Sequence, residues 1–351
     1  MTRLNLFTIN YHKLLNFSGE FYMTNKVCFA INDTAYRLVE LMIKNSEKYN
    51  ISVKRESNGV RILDAGLNCK GSILAGIKIA EICMGGLGSI TLGMDATRKI
   101  PNTVFVNSSV PVIACLSSQY AGWSLRVGKE DNAGKPFNCL GSGPARVLAN
   151  REDLIKEIAY SEISQKGVLI LEVASYPPRK IIDKIINDCR LNPENLVLII
   201  TPTTSLAGTT QVVSRVLEVA MHKLHALKFP LHNVVEGFAN APIPLPSSDF
   251  LEAMGRTNDA ILYGGLVQLV VNGPDSECEK LAKALPSSNS KDYGKSFSEI
   301  FKSVSYDFYK IDPMLFAPAK VIISNLDSGK SWVEGALNLS LLEESWIELE
   351  K

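Results

Sequence analysis

The sequence predicts an α/β fold with mixed sheets, and two observations support this prediction. Short β-rich runs alternate along the chain with segments of helical periodicity. The runs do not follow a regular strand–helix–strand order, so a fully parallel sheet is not expected. A length of 351 residues is sufficient for about two domains, each with a core of its own.

The predicted strands are short runs rich in valine, isoleucine and leucine. In chain order they are GVRILDAG, NTVFVNSSVPVIACLSS, KGVLILEV, NLVLIITP, ILYGGLVQLVVNG and AKVIISNL. The predicted helices have apolar residues three and four positions apart. They are SILAGIKIAEIC, REDLIKEIAYSEIS, PRKIIDKIINDC and the segment TTQVVSRVLEVAMHKLHAL over 209–227.

The sequence contains no repeat and no low-complexity linker, so a domain boundary has to be a short connection. We expect it at the SQKG turn near residue 165, with one α/β domain over 23–165 and a second over 166–351. Residues 1–22 form an N-terminal extension that lacks the apolar core and cleavage site of a secretory signal. We expect this extension to be disordered or to reflect an upstream start codon.

Composition excludes several classes of protein. With 46% hydrophobic and 21% charged residues and a net charge of +1, the chain has globular composition and no basic surface for nucleic acid or membrane. No apolar run reaches the about 18 residues that span a bilayer. The cysteine count is seven, which is odd, and no CxxC pair occurs, which favours reduced thiols in the cytoplasm. A small-molecule partner is expected.

The segment 209–227 has the most informative pattern. Read as one helix, it has a narrow polar stripe on an otherwise apolar surface, which is typical of a helix packed on several sides. The stripe consists of Gln211, Arg215, Glu218, His222 and His225. Burying these groups is costly unless they bind one another or face water or a ligand. The stripe is therefore expected to line a cleft or to form a closed network.

Two other interpretations of the stripe are weaker. Glu218, His222 and His225 share a helix face and could bind a metal, but no HExxH motif or fourth ligand is evident and Arg215 would repel a cation. A purely structural Arg–Glu pair would contribute only about 0.2–0.5 kcal/mol on an exposed helix. Covalent catalysis is not indicated either, because there is no GxSxG motif.

Seven segments are rich in glycine, proline and small polar residues, and their amides could approach a ligand. They are KGSILAG, CMGGLG, SSQYAGW, LGSGPARVLAN, PTTSLAGTTQ, AMGRTNDA and LPSSNSKDYGKSF. A helix that starts after GSGPA would direct free amides at an anion, and Arg146 could add a forked donor. A kinase with phosphate at this turn is thus an alternative, although neither GxGxxG nor GxxxxGK[ST] occurs.

Several of these segments, together with HKLHALKFPL and DFYKIDPMLFAPAKVIISNL, resemble methenyltetrahydromethanopterin cyclohydrolases. The resemblance runs in order from about residue 25 to near the C-terminus and is nearer to the bacterial, formaldehyde-oxidising branch than to the methanogen branch. It implies reversible hydrolysis of N5,N10-methenyltetrahydromethanopterin to the N5-formyl form, in the cytoplasm, without a metal or nucleotide cofactor. It also implies two α/β domains with the pterin in a cleft between them, usually in a homotrimer.

The resemblance also implies roles for particular residues. The family pattern R-x-x-E places the catalytic pair at Arg215 and Glu218, two members of the polar stripe. We expect Glu218 to position and deprotonate water and Arg215 to orient the carboxylate. Substrate contacts are expected from polar residues of the signature segments, namely Gln119, Ser142, Gly143, Arg146, Ser205, Gln211, Asn258 and Asp259. A pterin-binding protein without catalytic activity is the remaining alternative.

Overall fold

A computed structural model describes residues 29–97, 99–130, 132, 134–306 and 310–347. The extension expected over residues 1–22 lies outside the described residues. No helix in the described part of the chain is long and apolar enough to cross a membrane.

The described residues form twelve strands in two sheets. In chain order the strands are β1 (Ser52–Arg55), β2 (Arg61–Asp64), β3 (Ser89–Met94), β4 (Asn102–Ser108), β5 (Trp123–Val127), β6 (Phe137–Ser142), β7 (Gly167–Leu171), β8 (Leu196–Ile200), β9 (Val234–Pro242), β10 (Leu266–Val271), β11 (Lys320–Asn325) and β12 (Ser331–Gly335). The first sheet has the order β1-β2-β8-β7-β6-β5 and the second β12-β11-β10-β9-β4-β3.

Both sheets are mixed, which confirms the α/β prediction. In the first sheet β2, β8 and β7 are parallel, and β1, β6 and β5 pair antiparallel at the two sides. In the second sheet only β10 and β11 are parallel neighbours among the described strands. Strands β7 and β8 are buried on both faces, which explains their unbroken apolar sequences.

Helices surround and separate the sheets. The α-helices are α1 (Ile31–Lys44), α2 (Ser46–Tyr49), α3 (Ile73–Cys83), α4 (Ala145–Ala149), α5 (Asp153–Ile158), α6 (Arg179–Cys189), α7 (Leu206–Val213), α8 (Val216–Ala226), α9 (Phe250–Gly264), α10 (Asp275–Ala284), α11 (Phe297–Ser303) and α12 (Leu339–Trp346). A π-helix occupies Val112–Gln119. Helices α4 and α6 pack on one face of the first sheet, and α1 and α3 on the other.

Helix α3 lies between the two sheets. Its residues Ile79 and Ile82 pack with α1 and the first sheet, whereas Ile77 and Ala80 belong to the core of the second sheet. Helix α8 also packs on the second sheet. A helical layer formed by α3, α7, α8 and the π-helix therefore connects the two sheets.

The strand pairing does not divide the chain at residue 165. Strands β6 and β7 lie on either side of this point and are neighbours in one sheet, with Gly141 opposite Leu171. Each sheet also contains strands from both segments, because β3 and β4 join β9 to β12 in the second sheet. Short connections can pass from one sheet to the other through the shared helical layer. The amino-acid composition of the sequence therefore does not show where the chain changes sheets.

Two predicted strand runs contain helical residues. The run that begins at Asn102 forms β4, but its second half becomes the π-helix after Pro111, whose φ of −63° suits a helix and which has no N–H for a strand ladder. The run that begins at Ile261 starts as the end of α9, and β10 begins only at Leu266. Tertiary packing overrides the local preference of β-branched residues in both segments.

Close packing of α3 against α7 depends on a glycine. A Cβ atom at Gly76 would lie 2.5 Å from Thr210 Cβ and 2.6 Å from the Ala207 carbonyl oxygen. Because backbone atoms form part of this contact, a side-chain rotation cannot relieve it. The two helices can approach each other only when position 76 has no side chain.

Gly76→Ala is therefore expected to destabilise the protein by about 1–3 kcal/mol, since overpacking a filled interior has a cost of this size. Urea unfolding measures the difference. Gly128→Ala is the matched control, because a Cβ there would have no atom within 4 Å. Equal stability of the two variants would contradict a tight α3–α7 contact.

Candidate active site

The predicted helix 209–227 is two helices joined at Ser214 and Arg215. Ser214 Oγ donates to the Thr210 carbonyl at 2.7 Å, and ψ is near zero at both Ser214 (−2°) and Arg215 (2°). A side chain that bonds to a carbonyl four residues earlier bends a helix. Arg215 consequently precedes the first residue of α8, and Glu218 lies in the first turn of α8.

The polar stripe separates into a buried part and an outer part. Gln211, Arg215 and Glu218 are all buried, the last two with only 6% and 5% of their surface exposed. His222 stacks on Tyr120, with ring centroids 4.5 Å apart. His225 bonds to the exposed Glu157 at 2.9 Å and does not belong to the buried group.

The guanidinium of Arg215 is bonded to three separate segments. Nη1 donates to the carbonyl of Gln119 at the end of the π-helix. Nη2 donates to Ser142 Oγ at 2.9 Å and to Glu172 Oε1 at 2.8 Å. Glu218 Oε2 is farther away, 3.8 Å from Nη1, which is too long for a hydrogen bond. Glu172, not Glu218, is therefore the hydrogen-bonded carboxylate of Arg215.

Amide side chains complete the wall around the guanidinium. Gln211 Nε2 donates to Glu172 Oε1 at 2.9 Å, and Gln119 Nε2 donates to the Ser214 carbonyl at 3.4 Å. Among the described residues, the amide oxygens of both glutamines and Nε of Arg215 have no hydrogen-bond partner. Buried polar atoms are nearly always hydrogen-bonded, so these three atoms are available to a ligand or an ordered water.

The site lies at the carboxyl ends of parallel strands. Glu172 directly follows β7, and Thr201 directly follows its parallel neighbour β8. Ser142 is the last residue of β6, which pairs with β7. Ligands of open α/β sheets bind at this edge, where several strands end close together.

Burial controls the ionisation of Glu218. It raises the pKa of this carboxyl from its ordinary value near 4.5 to about 7, against the opposing effect of the Arg215 and Arg146 guanidinium groups. Burial tends to lower the pKa of Arg215, but Glu172, Cys83 and Glu218 together outweigh it and raise that pKa above its usual range. Near neutral pH the site therefore contains a permanent cation beside a carboxyl group that readily gains or loses a proton.

Other predicted substrate residues support the framework. Arg146 has no exposed surface, and its guanidinium donates two hydrogen bonds to the Glu152 carboxylate, at 2.8 and 2.6 Å. Its Nη1 donates to three carbonyls at the end of the π-helix. Gly143 has φ of +103° in the turn before α4, and Ser205 caps the N-terminus of α7 by accepting from Gly208 at 3.0 Å. All three residues thus hold neighbouring segments in place within the described structure.

Asn258 and Asp259 make their hydrogen bonds away from Arg215. Asn258 bonds to the Met254 carbonyl on its own helix at 2.9 Å. Asp259 accepts from the amide of Phe297 at 2.8 Å, and burial raises its pKa to about 7. The structure thus brings Gln119, Ser142 and Gln211 to the Arg215–Glu218 pair. Asn258 bonds within its own helix, and Asp259 bonds to the start of α11.

Sequence reasoning missed Glu172. The residue ends the apolar run KGVLILEV, so a charge directly after a buried parallel strand was the available signal. It also missed Tyr120, which stacks on His222 and lies under the Arg146 guanidinium at 5.3 Å. Within the described ranges, no group of three or more His, Cys, Asp or Glu side chains is arranged to hold a metal ion.

Fold and site together define a class of protein. It is an α/β protein of two mixed sheets in which a buried arginine has one carboxylate neighbour after a strand and another in the first turn of a helix, an arrangement suited to acid–base chemistry. The family model Cyclohydrolase (MCH) matches residues 30–346, and the chain belongs to this family.

Individual relatives agree with this membership. The methenyltetrahydromethanopterin cyclohydrolase of Methylobacillus flagellatus is 50% identical over 318 residues, covering 90% of this chain and 95% of the relative. The protein of the same name from Xanthobacter autotrophicus is 47% identical, with 88% and 90% covered. That of Methanocaldococcus jannaschii is 39% identical, with 91% and 99% covered. The resemblance inferred from the sequence segments is confirmed, and the chain is more similar to the Methylobacillus and Xanthobacter proteins than to the Methanocaldococcus protein.

Glu218→Gln is expected to stabilise the protein at alkaline pH. In the unfolded chain the carboxyl loses its proton near pH 4.5, whereas the folded protein retains it until about pH 7. The stability that this proton contributes is full below pH 4.5 and is lost as pH rises through 7. Glutamine cannot ionise, so the variant should exceed the wild type by up to about 3 kcal/mol at pH 8 and by less at pH 5.

Thermal unfolding at both pH values measures this difference. Glu157→Gln is the control, because the Glu157 side chain is 57% exposed and its charge stays in solvent. A Glu218→Gln effect of the same size at pH 5 and pH 8 would show that the carboxyl does not ionise within this range.

Proposed function

We propose that this protein catalyses the reversible hydrolysis of N5,N10-methenyltetrahydromethanopterin to N5-formyltetrahydromethanopterin. The main support is the buried carboxyl of Glu218, whose pKa is about 7, located 3.8 Å from the Arg215 guanidinium. The names of the relatives state the substrate and the reaction type. A carboxyl group with a near-neutral pKa is suited to accept a proton in one step and to return it in the next.

The proposed mechanism requires only water and this acid–base pair. The amidinium carbon of the substrate is cationic and electrophilic. As a water oxygen bonds to it, ionised Glu218 accepts one water proton and a neutral carbinolamine forms. Protonated Glu218 then donates to N10, the C–N10 bond breaks, and the hydroxyl oxygen becomes the formyl carbonyl. One of the two water protons ends on N10 and the other leaves to solvent.

Arg215 has an electrostatic and positioning role in this proposal. With both carboxylates ionised, the group Arg215, Glu172 and Glu218 has a net charge of −1, from one cation and two anions. A negative site favours the cationic substrate. Because the substrate already has its own positive charge, the reaction needs neither a Lewis acid nor a nucleotide, and we propose that it uses no cofactor.

The substrate is proposed to enter beside Glu172, whose side chain is 29% exposed whereas those of Arg215 and Glu218 are 7% and 6% exposed. The unpaired amide oxygens of Gln119 and Gln211 could accept from pterin N–H groups at this place. We propose that the substrate lies between the two sheets, at the helical layer, in the cleft expected from the family. Ser142 would keep Arg215 in position, and half-buried Asn258 is proposed to meet a more distant part of the substrate.

We also propose a cytoplasmic homotrimer. The cysteines of the described chain are all free, which suits a reducing compartment. The outer face of the second sheet supports self-association, because Phe238, Gln268, Ile322 and Val333 form one row across four strands. Phe238 is 44% and Val333 55% exposed, and Phe105, also 44% exposed, lies diagonally beside Phe238. Aromatic residues on an open surface are typical of interfaces.

Glu218→Gln is expected to lower turnover by at least about 10²–10⁴-fold, because glutamine cannot accept a proton from water. Loss of the methenyl chromophore gives the rate, and fluorescence titration gives substrate affinity, which should be retained. Glu157→Gln serves as the control with an exposed carboxylate. Retained turnover in Glu218→Gln would remove Glu218 from the mechanism, and binding without turnover in the wild type would identify a non-catalytic pterin-binding protein.

Phe238→Glu is expected to dissociate the trimer, because it places a charge in the centre of the proposed interface. Light scattering coupled to size exclusion should give three times the 38.5 kDa chain mass for the wild type and a lower multiple for the variant. Leu41→Glu is the control, since Leu41 is 58% exposed on α1, outside this sheet. An unchanged mass for Phe238→Glu would place the interface elsewhere.

A further inference from the structure

Arg215 has two carboxylate neighbours, and its guanidinium is hydrogen-bonded to only one of them. Glu172 Oε1 is hydrogen-bonded to Nη2 at 2.8 Å, whereas Glu218 Oε2 is 3.8 Å from Nη1. The same Glu172 oxygen accepts from Gln211 Nε2 at 2.9 Å, which fixes the carboxylate on the α7 side of the guanidinium. Glu172 thus holds Arg215 at a distance from the proposed base.

We propose that Glu172 is a positioning residue of the cyclohydrolase reaction: by binding Arg215 it prevents a closed Arg215–Glu218 hydrogen-bonded pair and leaves Glu218 free to bind water. This inference rests on the proposed function. A carboxylate bonded directly to a guanidinium is a weak base, since both its charge and its lone pairs are occupied.

The other contacts of Arg215 fit this role. Nη1 donates to the Gln119 carbonyl, and Nη2 also donates to Ser142 Oγ at 2.9 Å. These two neutral acceptors fix the plane of the guanidinium, but only Glu172 competes with Glu218 for its charge. Without the Glu172 charge, a movement of about 1 Å would bring Nη1 into hydrogen-bond distance of Glu218.

Other groups near Glu218 do not replace Glu172. The charged groups that act on Glu218 are Arg215 just before α8, Arg146 on α4 and Glu172 after β7. Cys115 on the π-helix also interacts electrostatically with Glu218, His222 lies one turn further along α8, and Cys83 on α3 lies against the Arg215 guanidinium. Both arginines lower the pKa of Glu218, and Glu172 raises it. The buried thiols of Cys83 and Cys115 have raised pKa values because of burial and are uncharged near pH 7. Glu172 is hence the anion that balances the Arg215 guanidinium, whereas Glu152 balances that of Arg146.

Two substitutions test the inference with two measurements each. Carboxyl ¹³C NMR of glutamate-labelled protein, with the Glu218 signal assigned through Glu218→Gln, gives the titration midpoint of Glu218 without substrate. The pH dependence of kcat gives the acidic limb of the reaction. In Glu172→Gln we expect both to move to lower pH by about 1 unit or more, because one nearby anion is lost. We also expect the plateau kcat to fall by about tenfold or more.

Glu172→Asp keeps the negative charge, but the shorter side chain places it farther from Arg215 and Glu218. The Glu218 titration midpoint in this variant should therefore lie between those of the wild type and Glu172→Gln. It also keeps the test valid if Glu172→Gln does not fold. Glu157→Gln, at an exposed side chain on α5, should leave both measurements unchanged. A midpoint that stays at the wild-type value in both Glu172 variants, with kcat reduced equally at all pH values, would overturn the inference.

The two measurements also separate this inference from the proposed function. A Glu218 midpoint that moves in the NMR titration while the acidic limb of kcat stays in place would show that Glu172 controls the ionisation of Glu218 but not the reaction. The same result would show that Glu218 is not the catalytic base, and would contradict the mechanism.

Discussion

The structure depends on providing hydrogen-bond acceptors for one buried guanidinium, that of Arg215. A charge removed from water must be bonded on several sides to be stable, and Arg215 obtains its partners from three segments far apart in the chain: the end of the π-helix, the end of β6 and the residue after β7. Arg215 itself stands at the junction of α7 and α8, and α8 packs on the second sheet. Because β6 and β7 belong to the first sheet, this single side chain links the two halves of the fold.

The break between α7 and α8 determines which carboxylate the guanidinium meets. In a continuous helix, residues 215 and 218 would be neighbours on one face and would form an ordinary i, i+3 ion pair. Here Arg215 precedes α8, and its side chain reaches across to Ser142 and Glu172. Glu218 lies in the first turn, where the helix dipole favours its anionic form while burial disfavours it. The ionisation of Glu218 follows from the balance of these opposing effects.

The sequence predicts the pair but not its surroundings. Periodicity places Gln211, Arg215 and Glu218 on one buried face, and this part of the stripe is buried in the structure. His225 follows the same periodicity but lies at the surface with Glu157, because helical spacing does not show where a packed helix reaches solvent. Glu172 is bonded to Arg215 across 43 positions of the chain, and no local pattern reveals such a contact.

The larger arrangement was predictable only in type. Alternating apolar runs give the α/β class and the mixed pairing, since those properties follow from local composition. The exchange of strands between sheets depends on long-range packing through α3, whose two apolar faces serve different sheets. The glycine-rich segment at Arg146 gave no sign that its guanidinium bonds to backbone carbonyls, because a side chain with five donors satisfies buried carbonyls as readily as it binds an anion.

A carboxyl group with a pKa near neutrality has a further advantage for the proposed substrate. In the proposed mechanism, the positive charge of the entering amidinium adds to that of Arg215 and lowers the pKa of Glu218, which favours the ionised base just before water attacks. Once the carbinolamine has formed, the substrate charge is gone, the pKa of Glu218 rises again, and the proton is held until N10 accepts it. The charge of the substrate thereby sets the direction of proton transfer at each step. These changes in the pKa of Glu218 require that its carboxylate is not already hydrogen-bonded to Arg215. In our proposal, the hydrogen bond between Arg215 and the second carboxylate, Glu172, meets this requirement.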